Sequence, residues 1–111
     1  PLNTLAIEAG IASLDKVDQM KEASEIIKSE RKKIIENLRK YDAFTVFDSK
    51  ANFVLFDAKG ADKRVFSALV EQRISIRKLG KIGSHSGCLR VTVGTKEMNS
   101  KFLLAIRDLL G

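Results

Sequence analysis

Residues 88–110 read CLRVTVGTKEMNSKFLLAIRDLL and place a strand-like segment directly before a helical one. Residues 88–93 are predicted to form a β-strand, in which apolar and polar side chains alternate from Leu89 to Val93. Thr95 comes next and is suited to cap a helix, with Glu97 and Asn99 in the first turn. The apolar side of that helix would consist of Phe102, Leu103, Ile106, Leu109 and Leu110. The segment therefore predicts a strand that leads into an amphipathic last helix.

The preceding residues predict two more strands, a helix and a further strand. Residues 44–47 and 51–56 are rich in β-forming side chains and are predicted to form a hairpin. Asp62 is predicted to cap a short helix, and residues 74–77 alternate like a strand. Residues 78–87, with their glycines and serines, are predicted to form a flexible loop. This order of elements predicts an α+β fold, a small and mainly antiparallel sheet covered on one face by helices.

The N-terminal part of the chain predicts one long helix. Residues 1–41 contain no glycine after Gly10 and no proline after Pro1, and their apolar side chains recur at helical spacing. Asp15 could cap a second segment, so a break near residue 15 is possible. We interpret residues 1–41 as an interdomain helix and residues 42–111 as an α+β small domain.

Charge and size leave two interpretations open. The 111 residues suit one domain, with 20 Lys and Arg against 14 Asp and Glu, for a net charge of +6. This excess is typical either of a protein that binds nucleic acid or a membrane surface, or of one part of a larger and more acidic protein. The densest basic run, Lys28–Lys40, is interleaved with Glu30 and Glu36, which is typical of a solvated helix face.

Several classes of protein are disfavoured by composition. Cys88 is the only cysteine, so an internal disulfide is excluded, and together with the single His85 it cannot form a zinc cluster. No apolar run approaches the roughly 18–20 residues that span a bilayer. No signal peptide is visible, so we expect a cytoplasmic location.

Three polar residues in predicted strands are candidates for ligand binding. Arg90 lies between Leu89 and Val91 and should point away from their face, and Arg77 ends the preceding strand. Arginine is suited to bidentate binding of carboxylate or phosphate, and both side chains could face one cleft. The alternative is that both are ordinary surface arginines. Asn52, inside an apolar strand, is a weaker candidate that could instead bond a neighbouring loop.

Four motifs in order resemble those of fold-type I, pyridoxal-phosphate-dependent aminotransferases of the histidinol-phosphate type. In this family a segment leaves the large domain, an S-x-A-N-F strand and an I-x-V-R strand follow, and L-R-I-T-V-G-T-x-E-E-N opens the last helix. The matching stretches here are PLNTLAIEAGIASL (1–14), SKANFVL (49–55), ISIR (74–77) and LRVTVGT (89–95) with Glu97 and Asn99. The resemblance covers essentially the whole chain.

The resemblance implies the C-terminal small domain of such an enzyme. Arg90 would bind the carboxylate of glutamate and help to hold the phosphate of the other substrate, Arg77 would be the second anion-binding arginine, and Asn52 is a weaker substrate-binding candidate. The cofactor, pyridoxal phosphate, would be bound by the large domain, which also carries the Schiff-base lysine. No catalytic, cofactor-binding or metal-binding residue is therefore expected in this chain, which should be inactive alone.

The whole enzyme would be a cytoplasmic homodimer of histidine biosynthesis that binds neither nucleic acid nor membrane. Its substrates would be histidinol phosphate or imidazole-acetol phosphate, glutamate and 2-oxoglutarate. Two departures from the family pattern are Lys78–Gly80, which leaves substrate identity open, and Met98 in place of an acidic residue.

Other functions remain open at this point. A threonine-phosphate decarboxylase or an aromatic aminotransferase has the same fold. A basic α+β module that binds RNA through sheet aromatics, or a regulatory domain that binds an anionic metabolite through Arg77 and Arg90, belongs to another class. The available aromatics are Phe44, Phe47, Phe53 and Phe56.

Overall fold

The first element of the structure is a long helix. The computed structural model describes residues 10–111, with side chains from residue 16 onward, so the expectations for residues 1–9 lie outside the described residues. Helix α1 spans Gly10–Leu38 without interruption, and the break near residue 15 that the sequence allowed is absent. The helix ends before Tyr41, whose N–H donates to the carbonyl of Leu38 at 3.2 Å in the turn that follows.

Helix α1 has an exposed half and a packed half. Ile34 and Leu38 in its last two turns are fully buried. An apolar stripe at helical spacing runs along the helix from Val17 and Met20 to these two residues. Val17 and Met20 nevertheless have exposed fractions of 46% and 71%. The described part of the chain therefore covers only the C-terminal half of this stripe. None of the described helices combines the length and the apolar character needed to cross a membrane.

Four strands form one antiparallel sheet in the order β1-β2-β4-β3. The strands are β1 (Thr45–Val46), β2 (Phe53–Asp57), β3 (Ile76–Ile82) and β4 (His85–Thr92). The remaining α-helices are α2 (Asp62–Glu71) and α3 (Lys96–Leu110), and a short 3-10 helix spans Lys59–Ala61 between β2 and α2. The predicted α+β class and the predicted order of elements are confirmed.

The core lies between one face of the sheet and the three helices. On β2, the fully buried Val54 and Phe56 alternate with the half-buried Phe53 and Leu55. This alternation places every second strand residue against the helices, as the period of a strand requires. The fully buried apolar side chains that meet there are Ile34, Leu38, Val54, Phe56, Val65, Leu69, Leu89 and Ile106. The opposite face of the sheet, which we call the outer face, carries the strand residues that alternate with these core residues.

The predicted flexible loop at residues 78–87 is wrong. Strand β3 continues to Ile82 and β4 begins at His85, so that only Gly83 and Ser84 separate them. Gly83 has φ +59° and Gly80 has φ +74°, where the register between the strands shifts. Glycine adopts positive φ without the steric cost that a Cβ imposes. The glycines that led to the prediction of a flexible loop instead allow a tight turn and a hairpin with irregular pairing.

The two later helices begin differently. Helix α3 begins as predicted, because Thr95 is its N-cap and the Thr95 hydroxyl accepts the N–H of Met98 at 3.1 Å. Helix α2 has Ala61 at the N-cap position with no side-chain hydrogen bond, so the prediction that Asp62 is the cap is wrong. Asp62 is instead the first helical residue, where its negative carboxylate interacts favourably with the positive end of the helix dipole.

Gly87 lies where strand β4 passes close to the turn after β2, so we expect Gly87→Ala to destabilise the fold. A Cβ at this position would collide with the carbonyl oxygen of Lys59 and lie 2.9 Å from the Cβ of Asp62. Relief requires backbone movement, which typically costs about 1–3 kcal/mol. Urea unfolding followed by circular dichroism measures the loss.

The matched control is Gly60→Ala in the same turn, because an added Cβ there meets nothing within 4 Å. Equal unfolding midpoints for the two variants would contradict the close approach at Gly87.

Candidate anion-binding site

Arg90 lies on the outer face of the sheet. Strand β4 is an inner strand, paired with β2 on one side and β3 on the other. Leu89 and Val91 are 0% and 2% exposed and point into the core. Arg90 between them therefore points to the outer face, as the sequence predicted, and is half-buried there.

Arg77 lies directly opposite Arg90. The two residues are Cα partners in the β3–β4 pairing, so both side chains project from the outer face. Like charges at directly opposite positions repel each other. Among residues 16–111, neither guanidinium forms an ion pair with a carboxylate. An uncompensated pair of guanidinium groups suits a ligand that brings negative charge to both.

Phe53 lies beneath Arg90. The guanidinium carbon of Arg90 is 5.2 Å from the centroid of the Phe53 ring, which is within the usual range of a cation–π contact. Phe53 pairs with Thr92 and Arg90 pairs with Leu55, so the contact runs diagonally between β2 and β4. The sequence indicated that Phe53 was a strand residue, but nothing in it indicated which arginine the ring would meet.

Asn52 is not inside a strand, so this prediction is wrong. Strand β2 begins only at Phe53, and Asn52 lies in the preceding bend with an exposed side chain. Its backbone carbonyl accepts the N–H of Val93 at 2.8 Å, which ties the start of β2 to the end of β4. The exposed side chain borders a groove of about 380 Å³ between α1 and residues 50–52. Asn52 directly precedes Phe53 in the chain. A role for Asn52 in ligand binding stays a prediction.

A second polar cluster occupies the other end of the outer face, and no sequence pattern predicted it. The Asp57 side chain is buried, and its Oδ1 accepts the N–H groups of Lys59 at 2.8 Å and Gly87 at 3.0 Å. Nδ1 of His85 lies 3.2 Å from Oδ2 of Asp57, and the His85 ring meets Phe47 edge-on at 4.8 Å. These contacts join β2 to the β3–β4 hairpin, so we interpret the cluster as structural.

Cys88 lies fully buried next to this cluster. Burial raises the pKa of the Cys88 thiol, and the Asp57 carboxylate raises it further, against a smaller opposite effect of a hydrogen bond from the backbone of Ile82. The thiolate is the reactive form of cysteine, so the structure disfavours Cys88 as a nucleophile. Within residues 16–111 no group of three His, Cys, Asp or Glu side chains is arranged to hold a metal ion.

The Asp57 carboxylate should stabilise the fold at neutral pH and less so in acid. Burial alone would raise the pKa of Asp57, but hydrogen bonds from Lys59, Gly87 and His85 outweigh it and hold the pKa below the ordinary value of 3.8. The folded protein thus binds this proton less readily than the unfolded chain. The stabilisation is fully present above about pH 4 and is lost as pH falls through the folded pKa.

We expect Asp57→Asn to lower the free energy of unfolding at pH 7 and to make it depend less steeply on pH in the acid range. Urea unfolding at a series of pH values between about 7 and 2.5 measures both effects. Asp48→Asn is the control, because the Asp48 side chain is 89% exposed in its ion pair with Arg39. A pH dependence in the acid range as steep in Asp57→Asn as in the wild type would contradict the lowered pKa.

Comparisons with known proteins agree with this fold. The family model for aminotransferase class I and II matches residues 1–106. The histidinol-phosphate aminotransferase of Symbiobacterium thermophilum is 36% identical over 110 residues, which cover 99% of this chain and 30% of that protein. That of Thermoanaerobacter sp. is 36% identical over 95 residues, which cover 86% of this chain and 27% of that protein.

Two solved structures are similar to this one. A decarboxylase from Sulfurospirillum multivorans superposes with a TM-score of 0.73 and 28% identity, covering 93% of this chain and 32% of that one. The histidinol-phosphate aminotransferase from Clostridium acetobutylicum superposes with a TM-score of 0.64 and 32% identity. This match covers 75% of this chain and 26% of that one. The chain spans about 30% of the length of its first curated relative, and with a family match over nearly its whole length it belongs to the aminotransferase class I and II family.

Proposed function

We propose that this chain is the substrate-anchoring C-terminal domain of a pyridoxal-phosphate-dependent aminotransferase that transfers an amino group between histidinol phosphate and 2-oxoglutarate. The observation that carries the proposal is the opposed pair Arg77 and Arg90 on the outer face of the sheet. Support comes also from relatives named histidinol-phosphate aminotransferase that match 99% and 86% of the chain.

Two neighbouring guanidinium groups explain how one site can serve both half-reactions. An aminotransferase of this kind must bind a dicarboxylate in one half-reaction and a phosphate monoester in the other. Arginine binds either anion through paired N–H donors, with no change in the protonation of the protein. Arg90, half-buried on an inner strand, would bind the substrate carboxylate. Arg77 would supply a second positive charge close to the substrate phosphate. Anchoring of this kind holds the reacting carbon in place.

The groups next to Arg90 do not by themselves suit the cofactor. When bound, pyridoxal phosphate supplies the electron sink for amino transfer, which requires a lysine amine and an acid facing the pyridine nitrogen. The groups next to Arg90 are Phe53, Leu55 and Arg77, which supply neither. We therefore assign the cofactor to the rest of the protein, and no catalytic residue to this chain.

The domain boundaries and the assembly are parts of the same proposal. We propose that residues 1–41 connect two domains and that residues 42–111 form the small domain. The exposed Val17 and Met20 on α1 would then face the larger domain. A cytoplasmic homodimer is what the resemblance to histidinol-phosphate aminotransferases implies for the whole enzyme.

The test uses the full-length protein that contains this chain, supplied with pyridoxal phosphate. Histidinol phosphate and 2-oxoglutarate are expected to yield glutamate, whereas histidinol without its phosphate should react poorly because the arginines lose an anion. Similar rates with histidinol and histidinol phosphate would contradict the anchoring role. Absence of glutamate with both would overturn the reaction.

A second candidate function is decarboxylation of a phosphorylated amino acid. It is favoured by the similarity to the decarboxylase from Sulfurospirillum multivorans. The same preparation is therefore offered O-phospho-L-threonine, and release of carbon dioxide is measured. Carbon dioxide without glutamate formation supports the second candidate, and the reverse supports the first.

A further inference from the structure

We propose that Phe53 is a positioning residue that holds the guanidinium of Arg90 in the orientation that binds the substrate anion. This inference rests on the proposed role of Arg90. Phe53 would set where the guanidinium lies without touching the substrate itself. The observation is the placement of the Arg90 guanidinium carbon 5.2 Å from the centroid of the Phe53 ring.

Arg90 needs such a partner because its other neighbours do not orient it. Among residues 16–111, the guanidinium forms no ion pair, and the residue opposite on β3 is Arg77, which repels it. A long arginine side chain without a partner samples many rotamers, and ordering it costs binding energy. The Phe53 ring lies on the β2 side of β4, and Arg77 lies on the β3 side. Attraction by the ring and repulsion by Arg77 therefore both draw the Arg90 guanidinium toward β2.

The contact leaves the arginine able to bind. A cation–π interaction uses the face of the aromatic ring and consumes no hydrogen bond. The five N–H donors of the guanidinium are therefore still available to a carboxylate or phosphate. A carboxylate at the position of Phe53 would also order Arg90, but it would compete with the substrate. An aromatic residue orders the arginine while preserving its positive charge for the anion.

The ring itself is well supported. Phe53 is half-buried at the start of β2, where its backbone pairs with Thr92 of β4. Val54, the next residue, is fully buried in the core. One residue earlier, the carbonyl of Asn52 accepts the N–H of Val93 at 2.8 Å. The backbone on both sides of Phe53 is thus fixed relative to β4, which carries Arg90.

The experiment compares Phe53→Leu, Phe53→Tyr and Arg90→Ala in the full-length holoenzyme. We expect Phe53→Leu to raise KM for the anionic substrates about 3- to 10-fold, the range of a partly buried cation–π contact, with kcat within about twofold. Phe53→Tyr keeps the ring and should restore KM to near the wild-type value. Phe66→Leu is the matched control, because Phe66 is a half-buried aromatic that packs against the core.

A second measurement reports on the contact without catalysis. The Nε–H resonance of Arg90 in ¹⁵N-arginine-labelled protein should show a ring-current shift that disappears in Phe53→Leu and persists in Phe53→Tyr. If Phe53→Leu folds poorly, pentafluorophenylalanine at position 53 keeps the shape of the ring and reverses its charge distribution. It should raise KM as Phe53→Leu does.

The outcomes separate this inference from the proposed function. If Arg90→Ala raises KM strongly while Phe53→Leu and the fluorinated ring leave KM unchanged, the positioning role of Phe53 is overturned and Arg90 remains the anchor. If Phe53→Tyr is as impaired as Phe53→Leu, the aromatic face does not determine KM, which also overturns the inference. If Arg90→Ala has normal KM, the proposed anchoring function itself fails.

Discussion

Arg90→Ala in the full-length protein is expected to raise KM for the two proposed substrates, glutamate and histidinol phosphate, about 10- to 100-fold. A charge-assisted hydrogen bond contributes about 1.5–3 kcal/mol, and each 1.4 kcal/mol is a factor of ten in binding. Both substrates should be affected, because Arg90 is the more buried of the two opposed arginines and lies on an inner strand. Steady-state kinetics with each substrate varied in turn measures the effect.

Two further variants sharpen this test. Arg90→Lys keeps the charge but loses the planar fork, so it should recover only part of the affinity. Arg107→Ala is the control, because the Arg107 side chain is 67% exposed on α3 and pairs only loosely with Asp108, at 3.9 Å. If Arg90→Ala resembles Arg107→Ala in both KM values, the anion site does not lie at Arg90.

The largest expected effect on stability comes from Asn99→Ala. Asn99 is 1% exposed, and its amide donates to Oε1 of Glu30 and to the carbonyl of Gly94, both at 3.1 Å. Its Oδ1 accepts the N–H of Gly94 at 2.9 Å. Truncation leaves the buried Glu30 side chain without this donor and the Gly94 backbone without its partner. Each buried polar group left unpaired costs about 1–3 kcal/mol, so we expect a loss of about 3 kcal/mol.

The measurement is the free energy of unfolding in urea, compared with that of Asn37→Ala. Asn37 lies on α1, and its side-chain amide donates to the carbonyl of Lys33 within the same helix at 2.7 Å. Alanine is a better helix former than asparagine, so this control should be nearly neutral. If the two variants unfold at the same urea concentration, the Glu30–Asn99–Gly94 network contributes little. Replacing Glu30 as well by leucine should recover part of the loss, because both partners of the buried bond are then removed.

Much of the fold was predictable because the signals are local. The alternation around Arg90 and the Thr95 cap involve residues adjacent in sequence, and both predictions agree with the structure. The wrong predictions arose where the same local sequence pattern is compatible with two different structures. Gly80 and Gly83 are typical of loops, but here they allow a hairpin turn and its irregular pairing. Asn52 belonged to an apolar run, and only strand pairing shows that β2 starts one residue later.

Arg77 and Arg90 were proposed from the sequence as two arginines that could face one cleft, but their direct opposition and the Phe53 ring beside Arg90 were not predicted. Side-chain chemistry and motif order pointed to Arg77 and Arg90, because guanidinium groups on strands are suited to anions wherever the strands lie. Their direct opposition depends on the register of the β3–β4 pairing, which irregularities at Gly80 adjust. The Phe53 ring below Arg90 and the bond from Asn99 to Glu30, 69 residues apart, join elements that meet only when the sheet and helices pack. Periodicity and capping act over a few residues and therefore specify the elements, whereas pairing register and core packing are collective and decide which side chains meet.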